Sequence, residues 1–321
     1  MKHLTSNLLF AAAWLFTAVS WAGSLPEKDV DQAAYVGQPV SLVVQPETIR
    51  LAGPRAMRQI LVTGRYSDGS ERDLTSFCEM KLESPDLAKV SRGGLLRAQK
   101  AGETVLVIQA GERTARVPII VTDFDKSQPV SFRHEFIAAL NVAGCNAGAC
   151  HGIPSGRGGF KLSLRGYDPA ADYIELANSA QGRRINRFDA DASLILKKGT
   201  GQIPHAGGPR LNSVNSVPQE IVRAWLADGV RDDSAELPAL NRVEVLPGNR
   251  VQTAPARWQQ LAVLAHFADG SVRDVTRLTA FSSSDDNIAS VDANGLVEMK
   301  QTGEAAILCR YLSIIECARL T

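Results

Sequence analysis

"YSDGSERDLT", Tyr66 to Thr75, returns as "FADGSVRDVT", Phe267 to Thr276, at an offset of 201 residues. The offset holds downstream without a gap: Val90 matches Val291, Gly94-Leu95 matches Gly295-Leu296, and Gly102-Glu103 matches Gly303-Glu304. Self-similarity at a fixed spacing means one module used twice. In each copy an apolar run (Ile60 and Val62; "LAVLAHF", Leu261 to Phe267) leads into Asp-Gly. That dipeptide favours a two-residue hairpin because glycine accepts positive φ. "TVLVIQAGERTARVPIIV", Thr104 to Val121, then gives two alternating strands about Gly111-Glu112. Short strands with turns at regular intervals predict a β-sandwich for each copy.

The shared pattern of Asp-Gly-Ser, Asp-Leu/Val-Thr, Gly-Leu and Gly-Glu resembles the bacterial immunoglobulin-like group 2 domains of surface proteins, over roughly 39–121 and 243–321. The resemblance implies spacer or adhesion modules that contact envelope proteins or glycans, and supplies no catalytic residue. His266, on a strand of the second copy, reads as structural.

Between the copies, over 126–236, the periodicity changes. Phe132, Phe136, Ile137 and Leu140 recur at helical spacing and predict an amphipathic helix ending before Cys145. A second helix starts at Ser216, with Pro218 in its first turn, and stops at Gly229. The centre is rich in glycine and holds "GCNAGACHG", Gly144 to Gly152. Two cysteines followed by a histidine admit three chemistries: two thioethers to a haem with His151 on the iron, a Cys145–Cys150 disulfide, or a metal site needing a fourth ligand.

"GCNAGACHG", "GGFKLSLRGYDP", "GRRI", "SLILKKGTGQIPHAGG" and "WLADG" together resemble the planctomycete-type cytochrome c domain. That resemblance implies covalent haem c held by Cys145, Cys150 and His151, and one-electron transfer with an unknown redox partner. No methionine falls in the middle segment, so the distal ligand is sought at His205 in "GQIPHAGG", ahead of His134, Lys197 and Lys198. Arg183, Arg184 and Arg210 are candidate propionate contacts, weighed against ordinary solvated loop arginines. Asp168, Asp172, Asp189 and Asp191 read as turn residues. No nucleophile–base set is visible, which favours a carrier over a catalyst.

The first 22 residues carry Lys2 and His3, an apolar run from Leu8 to Trp21, and small residues at Ser20 and Ala22. The run is shorter than the roughly 20 residues a bilayer-spanning helix needs, which predicts a cleaved signal peptide and export to the periplasm or cell surface. With 35 basic and 34 acidic residues the net charge is +1, so nothing in the composition suggests a nucleic-acid or polyanion binder. Cys78, Cys309 and Cys317 leave an odd number for pairing. The final "CARLT" stops short of the first copy's "RVPIIVTD", so a fragment or early-terminated chain with a marginal last module is expected.

The expected architecture is a signal peptide over 1–22, an Ig-like sandwich over 23–125, a mainly α cytochrome c-like domain over 126–236, and a second Ig-like sandwich over 237–321. The competing reading is a non-redox surface protein whose disulfide-stapled middle binds a glycan or another protein.

Overall fold

The computed structural model describes residue 25 and residues 29–126, 128–211, 216–233 and 237–321. The signal-peptide segment lies outside the described residues. The first module runs α1 (Asp29–Val36), β1 (Ser41–Gln45), β2 (Ile49–Ala52), β3 (Met57–Gln59), β4 (Leu61–Arg65), β5 (Glu71–Asp73), β6 (Glu79–Leu82), β7 (Ala88–Val90), β8 (Leu95–Ala98), β9 (Gly102–Ala110) and β10 (Arg113–Thr122). Its sheets, β1-β4-β5, β2-β10-β9-β6 and β3-β8-β7, enclose a core of Ile49, Ile60, Leu96, Leu106, Ile108 and Ile119.

The middle segment contributes a short π-helical turn (Phe132–Phe136), α2 (Ile137–Ala143), α3 (Pro169–Ala177), α4 (Leu194–Gly199) and α5 (Val217–Ala227). The second module follows with β11 (Leu240–Leu246), β12 (Trp258–Gln260), β13 (Ala262–Phe267), β14 (Val272–Asp274), β15 (Ala280–Ser283), β16 (Ala289–Val291), β17 (Leu296–Met299), β18 (Ala305–Tyr311) and β19 (Ile314–Leu320). Its sheets are β11-β13-β14, β12-β17-β16 and β15-β18-β19.

The repeated motif works identically in both copies. Asp68 Oδ1 accepts from Ser70 N, and Asp269 Oδ1 from Ser271 N, each at 2.9 Å, closing the turn around a left-handed glycine. Two residues before the conserved threonine, Asp73 Oδ1 accepts from Thr75 N and Asp274 Oδ1 from Thr276 N. The threonine hydroxyls then accept from Val62 N and Val263 N, both at 2.9 Å. The parallel pairing of Ile119 with Ile49 also has its counterpart, 201 residues on, in Leu320 with Arg250. The last strand is therefore paired on both sides.

The second carboxylate oxygen of each aspartate crosses to the other module. Asp73 Oδ2 accepts from Gln260 N at 3.1 Å and Gln259 Nε2 at 2.9 Å, while Asp274 Oδ2 accepts from Gln59 N at 2.6 Å. Side chains cross with them. Trp258 lies in the first module's core against Tyr35 and Phe77, and its counterpart Met57 packs on the second module's core. Arg250 pairs with Glu71 across the same junction. The modules are joined by exchange, each supplying part of the other's interior.

The expected mainly α cytochrome c-like domain is not what lies between them. Nineteen strands stand against five α-helices among the described residues, and the chain as a whole is mostly β. The helices of the middle segment are short, 7, 9, 6 and 11 residues, and loops and single turns join them. Helices of this length do not hold themselves in water and depend on packing. They find it on the second module: Phe132, Phe136 and Trp225 belong to the same apolar cluster as Val263, Phe267 and Tyr311. Tyr311 donates its hydroxyl to the His134 carbonyl at 2.8 Å, and the His134 ring sits 4.8 Å from that of Phe267. The apolar faces of the segment are thus continuous with the interior of a sandwich, one cluster spanning both.

Burial pushes Asp73 up to about 7, against hydrogen bonds from Thr75 and Gln260 and the charge of Arg250. The folded chain therefore holds a proton that the unfolded chain releases near 3.8. The stability from that proton is complete below pH 3.8 and is lost as pH rises to about 7. Denaturant midpoints measured across this window should fall more steeply for the native sequence than for Asp73→Asn. Parallel profiles would show that Asp73 does not titrate at the junction.

Candidate functional site

The helix α2 ends at Gly144, whose φ of 73° lets the chain reverse directly before Cys145. The next residues fold on themselves: Cys150 N donates to Ala147 O, His151 N to Cys145 O and Gly152 N to Ala147 O. Glycine is required at 152, since a Cβ there would stand 2.1 Å from the Asn146 carbonyl oxygen. This knot of turns presents Cys145, Cys150 and His151 to one cavity of about 730 Å³. All the described cysteines are free thiols, so the Cys145–Cys150 disulfide staple is not formed. Burial pushes the Cys145 thiol up to about 12.

His151 is oriented by its neighbours. Its Nδ1 donates to the Phe160 carbonyl at 3.1 Å, and its ring packs 4.5 Å from the Phe160 ring. Burial lowers its pKa, which keeps the imidazole neutral at pH 7. Across the cavity, in the loop after α4, His205 Nδ1 donates to Gly208 O at 2.8 Å. Each Nδ1–H is spent on a carbonyl, which leaves Nε2 as the nitrogen that carries the lone pair on each ring. The two rings lie nearly parallel, 10° apart, with centroids separated by 6.1 Å. Residues 54 positions apart in sequence thus line one cavity.

The other expected residues divide. Arg183 and Arg210 line the cavity with guanidinium groups that have no partner among the described residues. Arg184 does not serve as a free contact. It is 6% exposed, donates to the carbonyls of Glu175, Ser179 and Gly159, and pairs with the Glu175 carboxylate at 2.9 Å. Its guanidinium also lies over the Phe160 ring, 4.6 Å from the centroid. Arg157 joins the lining instead, and nothing in its sequence context distinguishes it from a surface arginine. Lys198 spends its ammonium on Pro204 O, which fixes the His205 loop. His134 lies in the interface with the second module, away from the cavity.

Asp168 and Asp189 cap turns, as read from the sequence. Asp172 is buried and accepts from both the amide and hydroxyl of Ser163. His266 pairs with Glu244 on the β11–β13 surface. Cys309 is buried and Cys317 exposed; β18 and β19 pair them with Glu316 and Leu308, so the two thiols face opposite ways. Among the described residues no group of three or more His, Cys, Asp or Glu side chains is placed to hold a metal ion, which removes the four-ligand metal reading.

No family model matches the chain. Ice-binding protein 1 of Shewanella frigidimarina (strain NCIMB 400) is 36% identical over 69 residues, 22% of this chain and 8% of that protein. The chain therefore spans a small fraction of that relative's length. Among solved structures, domains 5–6 of the S-layer protein SbsC match at 14% identity and a TM-score of 0.33, covering 88% of this chain and 98% of theirs. The Yersinia pseudotuberculosis adhesin InvE matches at 11% identity and a TM-score of 0.17, covering 88% of this chain and 58% of its own. Likenesses this distant decide neither fold nor function.

Because no family model matches, the expected membership of the planctomycete-type cytochrome c family is withdrawn, and with it the electron-carrier role that it implied. No comparison supports haem, cytochrome c or iron.

The locked state of Arg184 is testable. Arg184→Ala strips a buried guanidinium from its carboxylate and three carbonyls and should destabilise the protein by about 3–5 kcal/mol. Arg183→Ala, at an exposed and unpaired position, should change stability by less than about 0.5 kcal/mol. Equal effects of the two in denaturant titrations would contradict the separation of structural from free arginines.

Proposed function

We propose that this chain is a binding protein of the cell envelope, in which the segment between two interlocked Ig-like modules holds a ligand cavity. The observation that carries the reading is the cavity itself. Thiols and two imidazoles face it, apolar side chains such as Leu140, Phe160, Leu162 and Ile195 line it, and Arg157, Arg183 and Arg210 supply positive charge. Its 730 Å³ lies within the roughly 300–1,000 Å³ of small-molecule sites. Apolar walls with unpaired cations suit a flat hydrophobic ligand bearing carboxylates. Export rests on the signal-peptide reading of the first 22 residues. No helix among the described residues is long and apolar enough to cross a membrane.

Covalently held haem c is the specific occupant that the paired imidazoles favour. A metal–imidazole bond is about 2 Å, and two such bonds with the half-widths of two rings come to about 6 Å. The 6.1 Å between the His151 and His205 centroids fits that span. Their carbonyl-bound Nδ1 atoms leave Nε2 as the ligating nitrogen on each side. Cys145 and Cys150 would carry the thioethers, and Arg183 and Arg210 would meet the propionates. When bound, such a group supplies a coloured, redox-active centre.

The test is production in a host with haem-attachment machinery, followed by a haem-stained denaturing gel and a visible spectrum. Stain that stays with the polypeptide, and is lost in Cys145→Ala/Cys150→Ala, supports haem c. In the stained protein, His205→Ala should convert a low-spin spectrum to high-spin. A colourless native protein would remove haem and leave the cavity to a non-covalent ligand, to be sought by thermal-shift screening of aromatic carboxylates.

A further inference from the structure

A second concavity, of about 940 Å³, opens on the other side of Arg183. Its floor is apolar, formed in part by Ile185 and Leu194, and cations stand around it at Arg183, Arg187 and Lys197. No carboxylate lines it. The acids nearby are committed elsewhere: Asp191 to Arg223, Glu175 to Arg184, and Asp189 to the amides of Asp191 and Ala192. The side chains of Arg183 and Lys197 have no partner among the described residues. The groove thus concentrates positive charge in a chain whose net charge is only +1.

Phe188 stands on its rim with its ring fully exposed, at 102%. The backbone that carries the ring is held in place. Asn186 Oδ1 accepts from Phe188 N at 2.9 Å and Asp189 N at 3.0 Å, and Asn186 N is anchored to Ser193 Oγ. That bonding spends the amide oxygen of Asn186 and leaves its NH₂ for a ligand. Asn178 and Gln181 add further amides to the lining. An exposed aromatic face, amides and uncompensated cations form a recognisable set. The ring's negative face attracts C–H edges, the amides take hydroxyls, and the cations take carboxylates or sulfates.

We propose that this groove binds an acidic oligosaccharide, with a sugar ring on Phe188 and its acidic substituents between Arg183, Arg187 and Lys197. Nucleic acid is the poorer fit, since such binders neutralise about 6–10 phosphates and this groove offers three cations. The groove shares Arg183 and Leu194 with the cavity, whereas Phe188, Arg187 and Lys197 line the groove alone.

Isothermal titration of the full chain with a galacturonate tetramer, its methyl-esterified counterpart and a heparin-derived tetramer tests the assignment. At least one acidic tetramer should bind about tenfold more tightly than the neutral ester, corresponding to about 1.4 kcal/mol, and should weaken with added salt. Phe188→Ala and Lys197→Gln should each reduce affinity about tenfold with the melting temperature unchanged. Binding by neither acidic probe, equal binding of the ester, or unchanged affinity in both variants would overturn the proposal. Cys145→Ala/Cys150→Ala should bind as the native chain does. Loss of binding there would also overturn it, by placing the sugar in the cavity.

Discussion

Two carboxylates hold the architecture together. In each copy of the repeat, one oxygen of an aspartate closes its own module's turn on a threonine amide. The other oxygen of Asp73 or Asp274 accepts a backbone N–H from the opposite module. A buried carboxylate is tolerable only when its lone pairs are occupied. Asp73 meets that demand only when the modules are docked, since separation would strip it of Gln259 and Gln260. Trp258 and Met57 reinforce the point by burying apolar surface reciprocally. Relative motion of the modules would expose both. The middle segment inherits this rigidity, because α5 is tied to the first module by the Arg97–Glu220 pair and the π-helical turn is tied to the second by Tyr311.

The repeat was legible because its physics is local. Asp-Gly-Ser, then Asp-x-Thr, specifies a turn and a cap from residues within ten positions of one another, and both copies build it with the same hydrogen bonds. The reach of the second oxygen was not legible. Its partners lie 186, 187 and 215 residues away, and nothing around Gln59 or Gln260 marks them as recipients. The same limit explains the misjudged middle segment. Helical periodicity shows that a face is apolar, but not which surface covers it. The covering surface proved to be a β-sandwich, so helices that suggested a domain of their own form a layer upon another.

The candidate cavity was legible in its ligand-like residues and opaque in its supports. Cys145, Cys150 and His151 are adjacent in sequence, and the Pro–His–Gly context of His205 signalled a loop able to approach them. Phe160 and Arg184 carried no such signal, though they set the His151 ring: the phenyl supplies one face and a carbonyl, and the guanidinium braces the phenyl. Gly152 is similar. Its role follows from the close approach of the Asn146 carbonyl, a contact that exists only once the turns have closed.

The arginines show why composition cannot assign such roles. Arg183 and Arg184 are neighbours, yet one is enclosed by three carbonyls and a carboxylate while the other projects between two concavities. A guanidinium whose donors are spent inside the fold adds stability and has none left for a ligand. One without partners gives little to folding and stays available for recognition. The turn that carries them sends the two side chains apart. The left-handed residues Ala180, Gln181 and Gly182 immediately before them fix that turn. Positive charge therefore reaches both concavities from Arg183, while Arg184 holds in place the wall between them.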